Sequence, residues 1–241
     1  MHIIITFESA KPVILPINYN HLLQALIYKT MDHELANFLH TKGYGEGRKF
    51  KLFCFSNLRG NYDTKRMPGF IVFQNRLELE ISSPLSQFCE SLANGFLKKT
   101  LRLGENILLV QGVSVDWKKI TENRIMVDTL SPVVAYSTLL RPDGRSYTCY
   151  FQPGENDFER ISAENLRKKY RALYREDGGD GEISIKCLNR PRLHVIQYKD
   201  TIIKGYSGRM LIEGPPELLQ VALDAGLGSK NSQGFGCLRI K

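Results

Sequence analysis

Two stretches of this chain follow one pattern. Leu79-Glu-Ile-Ser-Ser-Pro84-Leu85 and Leu211-Ile-Glu-Gly-Pro215-Pro216 each run a short apolar segment directly into proline. Proline holds φ near the helical value and has no amide to leave unsatisfied at a helix start, so each stretch reads as a strand followed at once by a helix. Each helix is then followed by a glycine, Gly95 or Gly226, and by a further strand-like run. This echo constrains the fold more than any local propensity, because it asks both halves of the chain to obey one plan.

The remaining segments fit that plan. Residues 2–8 are rich in β-branched side chains and read as a first strand. A helix follows with Leu22, Leu23, Leu26 and Ile27 on one face, and Asn18-Tyr19-Asn20 offers its caps. Thr30 and Asp32 look like a stop and a fresh cap, so a second short helix is expected over 33–40. Residues 51–56 read as a strand, and 67–73 and 77–82 as a hairpin turning at Gln74-Asn75. The helix begun by Pro84 buries Leu85, Phe88, Leu92 and Phe96, and two strands lie within 101–115. In the second half, strands are expected over 124–130, 147–151, 182–188, 192–198, 202–213 and 235–240. Helices are expected over 157–175, with Phe158, Ile161, Leu166, Tyr170 and Leu173 inward, and over 215–225. Strand–helix–strand–strand–helix–strand is the ferredoxin-like order. The expected class is α+β, with two tandem ferredoxin-like (RRM-like) βαββαβ domains, 1–118 and 119–241, meeting at Trp117-Lys118-Lys119.

The last helix opens into Gly226-Leu-Gly-Ser-Lys-Asn-Ser-Gln-Gly234-Phe-Gly236. Two glycine–apolar–glycine steps bracket Ser229, Lys230, Asn231 and Ser232. Main-chain amides exposed by such a loop can form an anion-binding nest, to which Lys230 adds charge. The competing reading is a flexible hairpin. The spacing is not a nucleotide fingerprint, since these glycines follow a helix and precede a strand. With 33 Lys and Arg against 25 Asp and Glu, a formal +8, a polyanionic partner is favoured. Five dispersed cysteines without a Cys-x-x-Cys pair read as reduced thiols of a cytoplasmic protein. The apolar run near the start is too short for a membrane span, so no membrane partner is expected.

No metal-ligand cluster, nucleophile elbow or obvious carboxylate pair stands out, and neither a metal nor a cofactor is expected. What remains is acid–base chemistry by histidine, from among His2, His21, His33, His40 and His194. His40 closes the second short helix and opens onto a loop with three glycines, followed by Arg48, Lys49 and Lys51. The bend at Thr30–Asp32 can bring Tyr28 beside it.

These residues carry a family resemblance. The terminal glycine loop resembles that of the repeat-associated RNA-binding proteins of CRISPR systems. Tyr19-Asn20-His21, Leu26-Ile27-Tyr28, Leu35-Ala-x-x-Leu39-His40 and Lys51-Leu52-Phe53 resemble the N-terminal region of the Cas6 endoribonucleases. The resemblance implies metal-independent cleavage of precursor CRISPR RNA within its repeats, giving a 2′,3′-cyclic phosphate and a 5′-hydroxyl. It assigns the family's catalytic roles to His40, Tyr28 and Lys51, with Arg48 or Lys49 as alternatives to Lys51. It assigns RNA contacts to Arg48, Lys49, Gly226, Gly228, Ser229, Lys230, Asn231, Ser232, Gly234 and Gly236. Repeat RNA is the expected partner, with room for other CRISPR effector subunits and for a homodimer. The rival reading is a non-catalytic RNA-binding subunit of a CRISPR ribonucleoprotein, because related proteins share fold and loop without cutting.

Overall fold

The computed structural model describes residues 1–47, 49–97, 100–140 and 143–241. The first half contains β1 (His2–Glu8), β2 (Val13–Pro16), α1 (Asn20–Thr30), α2 (His33–Thr41), β3 (Cys54–Phe55), β4 (Tyr62–Asp63) and β5 (Phe70–Phe73). It continues with β6 (Arg76–Ser82), α3 (Ser86–Phe96), β7 (Thr100–Leu103) and β8 (Asn106–Asp116). The second half contains β9 (Arg124–Thr129), β10 (Ala135–Leu140), β11 (Ser146–Phe151), α4 (Asn156–Tyr174), β12 (Ser184–Cys187) and β13 (Arg192–Tyr198). After these come β14 (Thr201–Ser207), β15 (Arg209–Glu213), α5 (Pro216–Ala225) and β16 (Leu238–Ile240).

The principal sheets repeat one topology. The first runs β3-β6-β1-β8-β7 and the second β12-β15-β9-β16, with neighbours antiparallel throughout. The strand pairs β1 and β9, β3 and β12, β6 and β15, and β8 and β16 hold equivalent places. The chain is therefore two tandem ferredoxin-like folds, with β7 added at one edge and hairpins β10–β11 and β13–β14 inserted in the second half. The repeated strand-to-helix passages are β6 into α3 and β15 into α5. Helix α5 starts at Pro216, one residue after Pro215, and α3 at Ser86, two residues after Pro84, with Gly95 inside α3 rather than after it.

Packing follows the alternation of the strands. Ile3, Ile5 and Phe7 of β1 lie opposite Ile81, Leu79 and Leu77 of β6. All six are buried, and Phe88, Leu92 and Phe96 of α3 join them in the first core. The second core gathers Ile125, Val127, Met210 and Ile212 beneath Phe158 and Leu166 of α4 and Leu218, Leu219 and Ala222 of α5. The inner face of α4 also buries Ser162, Asn165 and Lys169, a polar stripe absent from the apolar reading.

Three sequence expectations are corrected. Segments 67–73 and 77–82 do not form a hairpin: β5 pairs with β2 and β4, while β6 enters the main sheet between β3 and β1. The seven-residue β1 matches the apolar alternation of β6 along its whole length, and the four-residue β5 cannot. The strand expected over 51–56 shrinks to Cys54–Phe55, because Leu52 takes a left-handed backbone, φ 54°. The run 202–213 splits into β14 and β15, which join different sheets.

Candidate functional site

Tyr28, His40 and Lys51 come together at the C-terminal end of α2. Asp32 makes this possible by accepting hydrogen bonds from the Glu34 and Leu35 amides, at 2.9 and 3.2 Å. That cap ends the α1 direction and starts α2, so the last turn of α2 folds back onto Tyr28 of α1. The Tyr28 and His40 rings meet edge-on, centroids 6.0 Å apart at 84°. On its other side Tyr28 meets buried Phe53 at 5.9 Å, and Phe53 stacks on Phe88 of α3 at 4.8 Å. Aromatic contacts of this kind fix ring direction as well as bury area. Thus the first core sets the orientation of the phenol, while His40 remains exposed.

Lys51 reaches the same place through an unusual backbone. Its Nζ donates to the His40 carbonyl oxygen, 2.9 Å, where the negative end of the helix dipole favours a cation. Leu52 buries its side chain in the second core, and Phe53 buries its own in the first. The left-handed Leu52, φ 54°, re-aims the chain between them at a cost of about 1–3 kcal/mol. Ser83 Oγ donates to the Leu52 carbonyl, 2.7 Å, and holds the turn. Tyr44 and Phe50 exchange two backbone hydrogen bonds of 2.8 Å, which closes the intervening loop and draws Lys51 back to His40. Lys49 turns into that loop, donating to the Gly45 carbonyl at 2.7 Å. Arg48 lies outside the described residues.

Electrostatics distinguish the three groups. Burial, and then the neighbouring Tyr198, push the Tyr28 phenol up to about 12, so at neutral pH it is a protonated hydrogen-bond donor. Burial pushes the Lys51 ammonium below its ordinary value. Among the described residues, no group of three or more His, Cys, Asp or Glu is placed to hold a metal ion.

The terminal loop is packed rather than flexible. Gly226, Gly228, Ser229, Asn231, Gly234 and Gly236 are buried, while Lys230 and Ser232 are half-exposed. The amides of Leu227, Ser229 and Gly236 donate to Gly236, Val134 and Pro132 carbonyls, and those of Gln233 and Gly234 close a tight turn onto Lys230 and Asn231. The Asn231 amide nitrogen donates to Leu227 and Phe235 carbonyls, 3.0 Å each. At Gly236, φ 72°, a Cβ would sit 2.0 Å from the Leu227 oxygen, so no larger residue fits. Lys230 places its ammonium 5.2 Å from the centre of the Tyr136 ring.

Helix α1 and helix α4 clamp this loop. Asn20 Nδ2 donates to the Gln233 and Gly234 carbonyls, 3.1 and 3.2 Å, rather than capping α1. Gln24 Nε2 donates to the Ser232 carbonyl, 2.6 Å, and Gln24 Oε1 accepts from the Tyr198 hydroxyl. Asn20, Gln24 and Tyr28 recur every four residues along one face of α1, so the loop and the phenol are roughly 12 Å apart along one helix. From α4, the buried Lys169 ammonium donates to the Gly226 and Gly228 carbonyls, 2.6 and 3.0 Å. Sequence reasoning does not reach Asn20, Gln24, Lys169 and Tyr198 as loop supports. The available signal is the spacing Ser162, Asn165, Lys169, a polar line where an inward helical face is expected.

The doubled sheet topology places this chain among proteins with tandem ferredoxin-like folds. Residues 14–114 match the family model described as CRISPR-associated protein Cas6, N-terminal, and residues 115–240 match CRISPR associated protein Cas6, C-terminal. The chain belongs to the Cas6 family. It is 27% identical over 238 residues to a CRISPR-associated endoribonuclease Cas6 of Methanocaldococcus jannaschii, spanning 98% of this chain and 91% of the relative. It is 28% identical over 239 residues to the CRISPR-associated endoribonuclease Cas6 of Pyrococcus furiosus, spanning 94% and 83%. A solved structure of a CRISPR associated protein Cas6 superimposes with a TM-score of 0.80 at 26% identity, over 100% of this chain and 99% of the other.

Proposed function

We propose that this chain is an endoribonuclease that cuts precursor CRISPR RNA within its repeats, without a metal ion. The 2′-hydroxyl attacks the adjacent phosphorus, the bond to the 5′-oxygen breaks, and the products are a 2′,3′-cyclic phosphate and a 5′-hydroxyl. The proton lost by the 2′-oxygen is balanced by the one gained by the departing 5′-oxygen. The convergence of Tyr28, His40 and Lys51 carries this reading. Imidazole exchanges protons near neutrality, which suits His40 to the proton-transfer step. Tyr28, protonated to about pH 12, donates a hydrogen bond to a non-bridging oxygen. Lys51 steadies charge developing on the phosphorane. RNA brings its own nucleophile, so the scheme needs no metal-bound water.

The division of labour follows the proposed domains. Residues 1–118 carry the reacting groups, and 119–241 carry the loop that holds RNA. Because much of the loop backbone is bonded internally, its RNA contacts are assigned mainly to Lys230 and Ser232. Cognate repeat RNA should be cut in excess EDTA into discrete products. A single 2′-deoxy substitution before the cut should leave RNA bound and intact. Binding without cleavage of the unmodified repeat would support a non-catalytic RNA-binding subunit instead.

A further inference from the structure

Away from the terminal loop, a cavity of about 660 Å³ opens between α4, α5 and the segment leading out of β8. Its walls include Trp117, Tyr170 and Tyr174. Trp117 is the sole tryptophan of the chain and is 70% exposed, and Tyr174 is 53% exposed. The two tyrosine rings stand 4.6 Å apart, inclined at 48°. Tyr170 packs against the second core, whereas Trp117 and Tyr174 leave most of their surface open. Large aromatics normally bury most of their surface, so this exposure requires a reason.

The rim is held in place. Gln220 of α5 accepts a hydrogen bond from the Ile120 amide, 2.8 Å, and donates to the Lys118 carbonyl, 3.1 Å. A second donation to Asp224, 2.8 Å, fixes the Gln220 amide itself. Residues 117–120 have no regular structure, yet these bonds and buried Ile120 pin the segment that carries Trp117.

Charge and position narrow the occupant. Lys119 shares the walls with Glu217 and Asp224, so the interior does not select an anion. Flat aromatic surface without a net cationic lining suits an uncharged planar group, and every nucleobase offers a π-face. Pro84 and Ser86 also line the cavity. The adjoining Ser83 holds the carbonyl of Leu52, the residue after Lys51. The residue preceding Pro84 thus also holds the turn that carries Lys51.

We propose that this cavity is a stacking pocket for one unpaired nucleobase of the bound RNA. The proposal rests on the RNA-cleaving reading above, and its test separates the two. Trp117 emission is recorded while the full chain is titrated with repeat RNA carrying the protective 2′-deoxy substitution. Quenching that saturates with binding, and that disappears when one particular base is replaced by an abasic unit, is the expected result. Trp117→Ala and Tyr174→Ala should each weaken RNA binding on the order of tenfold, whereas Trp117→Phe should bind as the parent does. Both side chains are largely exposed, so thermal melts should be unchanged. AMP supplies the free-nucleotide arm, and weak quenching that repeat RNA displaces is expected. RNA binding with unchanged Trp117 emission overturns the pocket even if cleavage is intact. Quenching by AMP with none by RNA also overturns it. Failed cleavage with base-specific quenching retains the pocket and removes only the catalytic reading.

Discussion

Lys169→Met tests whether one buried ammonium organises the terminal loop. The side chain is 2% exposed and donates to two carbonyls, at 2.6 and 3.0 Å. Methionine preserves length and bulk but donates nothing. Leaving two buried acceptors unmet costs about 1–3 kcal/mol each, while removing a buried charge returns part of that, for a net loss of about 2–4 kcal/mol. In a chain of this size each kcal/mol moves Tm by roughly 2–4 °C, so the melt should fall by about 4–16 °C. Scanning calorimetry gives the number. At a temperature where the variant stays folded, RNA titration should show weakened binding, because the Gly226 and Gly228 carbonyls are no longer held inward. The single-turnover rate at saturating enzyme should stay near that of the parent, since His40 and Lys51 belong to another segment. A melt within about 1 °C of the parent would refute the clamp. A lowered melt with unchanged RNA affinity would leave the clamp purely structural.

Three other outcomes are expected. His40→Ala should lower the single-turnover rate on the order of 10²–10⁴-fold with little change in binding, measured by quenched-flow cleavage of labelled repeat RNA. Tyr28→Phe retains the ring contacts with His40 and Phe53, so its melt should hold while its rate falls, and the parent rate profile should show no ionisation of Tyr28 below about pH 11. Burial alone would raise the Glu80 carboxyl, but hydrogen bonds with His2 and Arg239 and their charges hold it below the usual carboxylate range. Its contribution is therefore present above the unfolded-state value and lost as pH falls through the lower folded value. Calorimetry from neutral pH into that acid range should show a drop that is smaller in Glu80→Gln.

The doubled plan is legible because strand alternation and proline-started helices are local signals, and both occur twice. Leu77, Leu79 and Ile81 announce a buried strand face, but they do not say which strand they face. That choice depends on the length of β1, at the far end of the half, whereas the sequence nearby offers only β5. The meeting of Tyr28 with His40 can be anticipated from the Thr30–Asp32 bend. That Lys51 rather than Lys49 bonds the His40 carbonyl cannot, because it turns on the Tyr44–Phe50 bridge and on the left-handed Leu52. Lys169 is hidden for a related reason: in a helix as charged as α4, a lysine reads as one more solvated side chain. Its partners are backbone carbonyls, which have no signature in sequence.

Leu52 carries a consequence for any attempt to divide the protein. Two sheets of one design suggest modules that could be expressed separately, with the reacting groups kept in the first. Yet the residue beside Lys51 belongs to the core cluster that holds Ile125, Phe158 and their neighbours in the other module. A chain cut short near residue 118 would therefore present Leu52 to water and lose the reason for its strained backbone. Lys51 would drift from His40 although every proposed reacting residue remained covalently present. Mixing the separately produced halves should restore the arrangement to whatever extent they reassociate, making recovered cleavage a measure of docking between modules.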